Sequence, residues 1–402
     1  MWTIEKEAVS PERVAPIDDY TAWCRDQLFT LEMIEATSLL QRACDLHLSN
    51  LYQRELHFAD YISSPKTATE LAAELGYVDS ARIVVESMLL RLSERTGLVR
   101  AQQTSGEIVF QARENITEDT DAELDSIRKR LAVLGKNFEA ALEFMDFGAE
   151  HFAYCLRDDP GFMDKVLSGR DPRFYSLWFR ATNEDCLQDV HGIMGAELVH
   201  RIFEGGRILE IGGGTGNGMR HLLRRFSESD SLGRIKQYVF TDVSMSFLIC
   251  TRQELRKLYP TLNTEWRLLD IDRPFLEQRV TPNSADLIYG VNAAHVCRDI
   301  VKTLRQCRET LSDDGLIVFS ERVRLKPREM APRELTLNLS ICHRSAAIHN
   351  PEYRPMHSYL SPDNWAKVLD LAGFRSVQVF PNFEALRQVF PDPYAAVIVA
   401  KK

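Results

Sequence analysis

The sequence predicts an α/β fold, a mostly parallel sheet built from βαβ units, preceded by a mainly helical half. Three observations carry this. Before about residue 205, apolar side chains recur at helical spacing, as in Asp45-Leu46-His47-Leu48-Ser49-Asn50-Leu51-Tyr52 and Ile127-Arg128-Lys129-Arg130-Leu131. Beyond it, short β-branched runs alternate with helical stretches. The first of those runs, Arg207-Ile208-Leu209-Glu210-Ile211, enters a glycine-rich turn that opens an amphipathic helix. At 402 residues the chain exceeds one ordinary core, and the boundaries fall at 1–125, 126–204 and 205–402.

Composition narrows the function classes. The chain carries 49 basic and 58 acidic side chains, a formal charge of −9, which argues against broad nucleic-acid binding. The N-terminus lacks the basic and apolar regions of a signal peptide, and no run of 18 apolar residues spans a membrane. The eight cysteines are scattered without CxxC spacing. They read as reduced thiols in a cytoplasmic protein, with no zinc knuckle and no disulfide framework.

In the first half, Ser63-Ser64-Pro65-Lys66-Thr67 is turn chemistry, Thr67 caps a helix over 68–75, and Gly76 stops it. A second helix runs over about 80–96, with Ile83, Val84, Met88, Leu89 and Leu92 on one face. A strand at 97–100, a Ser105-Gly106 turn and a returning strand at 108–110 complete a winged-helix pattern. That pattern raises DNA readout, but the second helix mixes Glu86 and Glu94 with its arginines and is otherwise apolar. Packing or homodimerisation suits it better. The aromatic run Phe174-Tyr175-Ser176-Leu177-Trp178-Phe179 reads as core between domains or as a substrate-pocket wall, with Tyr175 and Trp178 as candidates.

The glycine-rich stretch is Glu210-Ile211-Gly212-Gly213-Gly214-Thr215-Gly216. A ligand must touch backbone here, and a Cβ would block it. Such loops serve NAD, FAD and S-adenosylmethionine (SAM) alike. The acid ending the strand gives E-x-G-x-G-x-G, which differs from the dinucleotide fingerprint, and no Lys-Ser/Thr follows as in a P-loop. A second strand, 237–242, ends in Asp242, whose carboxylate suits a ribose diol. A third, 266–271, carries Leu269 and Asp270, with Asp272 as an alternative acid. A fourth, 285–292, ends in Asn292, and a fifth, 315–321, ends in Glu321, with a helix over 299–311 between them. A capped helix from Ser361 to Leu371 and strands at 375–380 and 395–400 close the sheet.

On these residues the second half resembles the class I SAM-dependent methyltransferases. The resemblance implies a Rossmann-like, seven-stranded domain with SAM as cofactor. By it, Glu210 and Gly212, Gly213, Gly214 and Gly216 meet the methionine portion, Asp242 the ribose, and Leu269 with Asp270 the adenine, with Asn292 nearby. Small-molecule methyltransferases often carry an N-terminal winged helix as a dimer interface, and the first half is similar to that.

A methyl acceptor must often lose a proton. His295 follows the fourth strand, where the ligand crevice of an open α/β sheet lies, and Glu321 ends the neighbouring strand. A carboxylate on one ring nitrogen fixes the tautomer and raises the basicity of the other. Tyr238-Val239-Phe240-Thr241-Asp242-Val243-Ser244 and Asn292-Ala293-Ala294-His295 resemble the methyltransferase domains of polyketide synthases. In their C-methylating members a His and a Glu at these two positions form the catalytic dyad. The resemblance implies a polyketide-like small-molecule acceptor, free or on an acyl carrier protein. O-methylation of a phenol or enol uses the same base and stays open, as does a non-catalytic SAM-fold regulator.

The segment at about 322–360 reads as a substrate lid or as a surface excursion. In the lid reading Arg344 holds a carboxylate or phosphate, while Asn338, Tyr353 and His357 line the cavity. Its histidines lack metal-ligand spacing, so no metal is expected.

Overall fold

The computed structural model describes residues 17, 19–113, 120–135, 137–157, 172–326, 328, 330–332, 334–335, 350, 352–354 and 359–402. The helical half contains a long helix, Leu31–Asn50, and a small antiparallel sheet of β1 (Lys66–Thr67), β2 (Val99–Thr104) and β3 (Glu107–Ala112) in the order β1-β3-β2. Helices Ala68–Glu74 and Ala81–Arg95 lead into the β2–β3 hairpin, the helix–turn–helix–hairpin order that the sequence predicts. Thr67 caps the first of them in a capping box with Glu70.

Helix Ala81–Arg95 is committed to the chain itself. Arg91 is wholly buried, bonded to Asp45 at 2.6 Å and to the Met330 carbonyl at 2.9 Å. Glu86 pairs with Arg328 and Glu94 with Lys326. Its polar side chains thus meet the segment at 326–330, which lies between two strands of the large sheet in chain order.

That sheet has seven strands: β4 (Gly206–Glu210), β5 (Ile235–Asp242), β6 (Thr264–Leu268), β7 (Ala285–Val291), β8 (Leu311–Arg322), β9 (Arg375–Phe380) and β10 (Ala395–Lys401), in the order β6-β5-β4-β7-β8-β10-β9. β6 through β8 run parallel, and β10 is inserted antiparallel between β8 and the edge strand β9. β6 ends at Leu268, so Leu269 and Asp270 belong to the loop beyond it. The chain leaves β4 outward to β5 and β6, then crosses to β7. The ends of β4 and β7 therefore flank a topological switch point, where open α/β sheets hold ligands.

Strand alternation divides the apolar side chains between two faces. Ile208, Tyr238, Leu287 and Val318 join one buried cluster with Met219, Leu222 and Phe226 of helix Asn217–Glu228. The same cluster runs on through Val199, Leu142, Leu40 and Phe110, so one core joins the two halves. Leu209, Ile288, Ile317 and Phe319 face Leu304 and Trp365 of helices Ile300–Thr310 and Pro362–Leu371. Each fully buried side chain of this size contributes about 1.5–3 kcal/mol. Asp299 and Ser361 cap those two helices.

No helix among the described residues is long and apolar enough to cross a membrane.

Candidate active site

The glycine-rich loop is built to lie tight on the sheet. The Gly213 N–H donates to the Thr241 carbonyl at 2.8 Å, and a Cβ on Gly213 would sit 2.3 Å from the buried Phe240 ring. Gly212 and Gly216, both at positive φ, turn the chain into helix Asn217–Glu228. Gly214 differs: at φ +55° it faces open space, with nothing closer than 4.0 Å to a built Cβ. A ligand's approach to the loop backbone therefore requires glycine there.

Asp242 closes the loop from the end of β5. Its carboxylate accepts from the Gly214 N–H at 2.8 Å and the Ser244 N–H at 2.7 Å, one on each oxygen. Each oxygen keeps a second lone pair for a hydroxyl donor. Burial raises the Asp242 carboxyl above its ordinary value, and those N–H groups oppose the shift. The Leu269 N–H donates to the Asp242 carbonyl at 3.0 Å, which brings Leu269 and Asp270 alongside. Asp270 Oδ1 accepts the Asp272 N–H at 3.0 Å, and the Asp272 carboxylate accepts the Arg298 N–H at 2.6 Å.

Glu210 has a different surrounding from the one expected of a ligand contact. It is wholly buried beneath the loop, where Oε2 accepts from the Tyr238 hydroxyl at 2.9 Å and Oε1 lies 2.5 Å from a Cβ built on Gly218. Burial pushes its carboxyl up to about 8. Its side chain supports the start of the helix from below. Asn292, at φ +50°, accepts the Arg322 N–H at 2.7 Å on Oδ1, which ties the end of β7 to the end of β8.

Beside this lies a buried polar cluster around Glu321. His295 sits in a short 3-10 turn after β7, 4% exposed, and its Nδ1 is 2.6 Å from Glu321 Oε2. Glu321 is wholly buried, and its other oxygen accepts the Ala293 and Ala294 N–H groups at 3.1 and 2.8 Å. With that carboxylate as acceptor, Nδ1 carries the proton and Nε2 presents a lone pair. The His295 ring packs against Tyr359, centroids 4.8 Å apart. From behind, the buried Arg354 guanidinium donates to the carbonyls of His295, Cys297 and Arg298 at 3.2, 2.6 and 2.6 Å. Sequence reading noted Tyr359 among the polar residues of this segment but did not single out Arg354, for which no local pattern gave a cue.

The helical segment before β4 closes over the loop. Thr182 Oγ1 is 3.0 Å from Thr215 Oγ1, and Arg220 donates to Asn183 at 2.8 Å. Trp178, one turn earlier on helix Pro172–Asn183, packs edge-on against Phe144. Tyr175 lies on that helix, its side chain outside the described residues. Tyr353 is half-buried and its carbonyl accepts from Asn364 at 2.8 Å. Asn338, Arg344 and His357 lie outside the described residues.

Residues 209–317 match the family model described as a methyltransferase domain. The chain carries a SAM-dependent methyltransferase domain. A loop with an open Gly214, an acid beside it, and Gly212, Gly213 and Gly216 packed against Ala293, Phe240 and Thr251 fits that cofactor. Over 190 residues the chain is 33% identical to the highly reducing polyketide synthase ALT1 of Alternaria alternata, covering 47% of this chain and 7% of that one. Polyketide synthase PksM of Bacillus subtilis is 25% identical over 178 residues, 42% of this chain and 4% of the relative. The chain thus spans under a tenth of the length of these relatives. In fold, it matches the CurJ carbon methyltransferase with a TM-score of 0.73 at 20% identity, covering 96% of each chain. The DszA carbon methyltransferase matches at 0.73 and 20%, over 97% and 94%. The methyltransferase domain is therefore related to the methyltransferase regions of polyketide synthases, and the helical half belongs to the same matched fold.

Proposed function

We propose that the chain methylates an activated carbon of a polyketide-like acceptor held as a thioester on an acyl carrier protein. The observation that carries this is the contact between His295 and Glu321, buried at the switch point beside the glycine-rich loop. The kinship with polyketide synthases supports the choice of acceptor, and the likeness in fold to the CurJ and DszA carbon methyltransferases supports carbon.

SAM supplies an electrophilic methyl group on a sulfonium. The protein must then expose a carbon nucleophile in line with it. A carbon between a ketone and a thioester is acidic enough for an imidazole to deprotonate. His295 Nε2 accepts that proton, and Glu321 stabilises the resulting imidazolium through Nδ1. The proton ends on His295, and the carbon's electron pair forms the new C–C bond as the S–CH3 bond breaks. Burial of both side chains keeps competing water from the base. Glu210, Asp242 and the loop glycines hold the crevice in shape; Asp242 and Asp270 present carboxylates to the cofactor's ribose and adenine.

The test uses 13C-methyl SAM and a β-ketoacyl thioester of N-acetylcysteamine. A new methyl resonance in the carbon-bound region of the spectrum is expected. An O-methyl resonance would overturn the carbon assignment. His295→Ala should keep binding of S-adenosylhomocysteine, the demethylated product, within about threefold and lose 10²–10⁴-fold in turnover, the usual worth of a general base.

A further inference from the structure

A cavity of about 130 Å3, lined by neither His295 nor Glu321, lies between the helical half and the chain that leaves β8. Its walls are mostly apolar, including Leu40, Phe144, Leu187 and Met330. Several cations also reach it, and most are neutralised. Arg91 is paired with Asp45, Arg324 with Glu334, and Lys326 with Glu94.

Arg322 is different. It follows Glu321 directly, so strand alternation sends its side chain to the opposite face of β8, into this cavity. It is 9% exposed and forms no ion pair among the described residues; its buried Nε has no hydrogen-bond acceptor. Its guanidinium carbon stands 4.4 Å over the Tyr394 ring, and the Tyr394 hydroxyl is spent on the Leu187 carbonyl at 2.9 Å. The ring thus holds one face of the guanidinium while its edge donors stay uncommitted. Two carboxylates also line the cavity: Asp185, whose Oδ1 caps the Leu187 N–H at 2.8 Å, and Asp392, exposed at the rim.

Neither carboxylate forms an ion pair with Arg322, and a cation this buried is costly without a direct partner. We propose that this cavity binds a small organic carboxylate, with the Arg322 edge taking the carboxylate in a two-point fork and the apolar walls taking a short carbon chain. The planar fork matches a carboxylate, the aromatic face pre-orients it, and the surrounding side chains reward an alkyl body over a bare inorganic ion. The site is separate from the methyl-transfer centre, because neither His295 nor Glu321 lines it.

Calorimetry on the full chain with butyrate, butyramide and inorganic phosphate at constant ionic strength tests this. Butyrate should bind the natural protein, with butyramide and phosphate at least tenfold weaker. Arg322→Gln should weaken butyrate at least tenfold while S-adenosylhomocysteine still binds. Equal binding of butyrate and butyramide, tighter binding of phosphate, or unchanged butyrate affinity in Arg322→Gln each overturns the proposal. If Arg322→Gln fails to fold, Arg322→Lys decides. Loss of the two-point fork should weaken butyrate several-fold, and an unchanged affinity refutes the site.

Discussion

Replacing Glu321 by Gln separates the base reading of His295 from a merely structural one. Glu321 accepts three hydrogen bonds, two from backbone N–H groups on Oε1 and one from His295 on Oε2. An amide has only one acceptor oxygen. The two backbone donors claim it, and the NH2 then faces His295 Nδ1. The ring must accept there and move its proton to Nε2, which becomes a donor and ceases to be a base. Inverting a tautomer in this way costs up to about 10⁴-fold in rate in a serine-protease triad, equivalent to about 5 kcal/mol. A loss of 10²–10⁴-fold in kcat is expected here, with S-adenosylhomocysteine affinity within about threefold of the natural protein. The assay is release of S-adenosylhomocysteine from the β-ketoacyl thioester reaction, paired with calorimetric binding of that product. A kcat within threefold of the natural protein would refute the tautomer argument. Loss of cofactor binding in step with kcat would show that Glu321 only holds the fold.

Three further outcomes follow from the same structure. Arg354→Met removes three donors to the carbonyls around His295. It should lower kcat at least tenfold with little change in KM for SAM, measured by steady-state kinetics across pH. Gly213→Ala drives a Cβ to 2.3 Å from the Phe240 ring. Overpacking of that kind costs about 1–3 kcal/mol, and thermal melting with and without S-adenosylhomocysteine should show lost stability and lost ligand-induced stabilisation. Glu210, raised by burial to about 8, holds its proton in the folded state where the unfolded chain has released it. The stability it contributes is full below the ordinary carboxylate range and is lost as pH rises through about 8. Glu210→Gln should flatten the fall in melting temperature between pH 6 and 8, a slope of at most about 1.4 kcal/mol per pH unit.

The parts of the site written as contiguous sequence were legible before any coordinates. A strand, a glycine run and an acid at a strand end are local patterns, so the loop at 212–216, Asp242, His295 and Glu321 could be placed from strand order alone. Glu210 shows the limit. Whether a strand-end side chain faces the cleft or the core changes with a single residue of register, and the Tyr238 hydroxyl that captures it lies on another strand. Arg354 was invisible for a similar reason. Nothing in its neighbours marks it, and its meaning comes from backbone carbonyls nearly 60 residues earlier. The β6 end was overrun by three residues because Leu269 and Ile271 continue the apolar pattern after the ladder has stopped at Leu268.

The core that runs unbroken from one half to the other has a practical consequence for anyone who wishes to graft this domain into another protein. Tyr20 packs edge-on against Phe380, Phe29 stacks on Phe390, and the Asn382 N–H donates to the Thr21 hydroxyl. A cut at residue 205, the junction that composition alone suggests, would peel Leu222, Tyr238 and Val397 from their partners and leave a greasy face in water. The transplantable piece is the helical half and the sheet together, moved as one block.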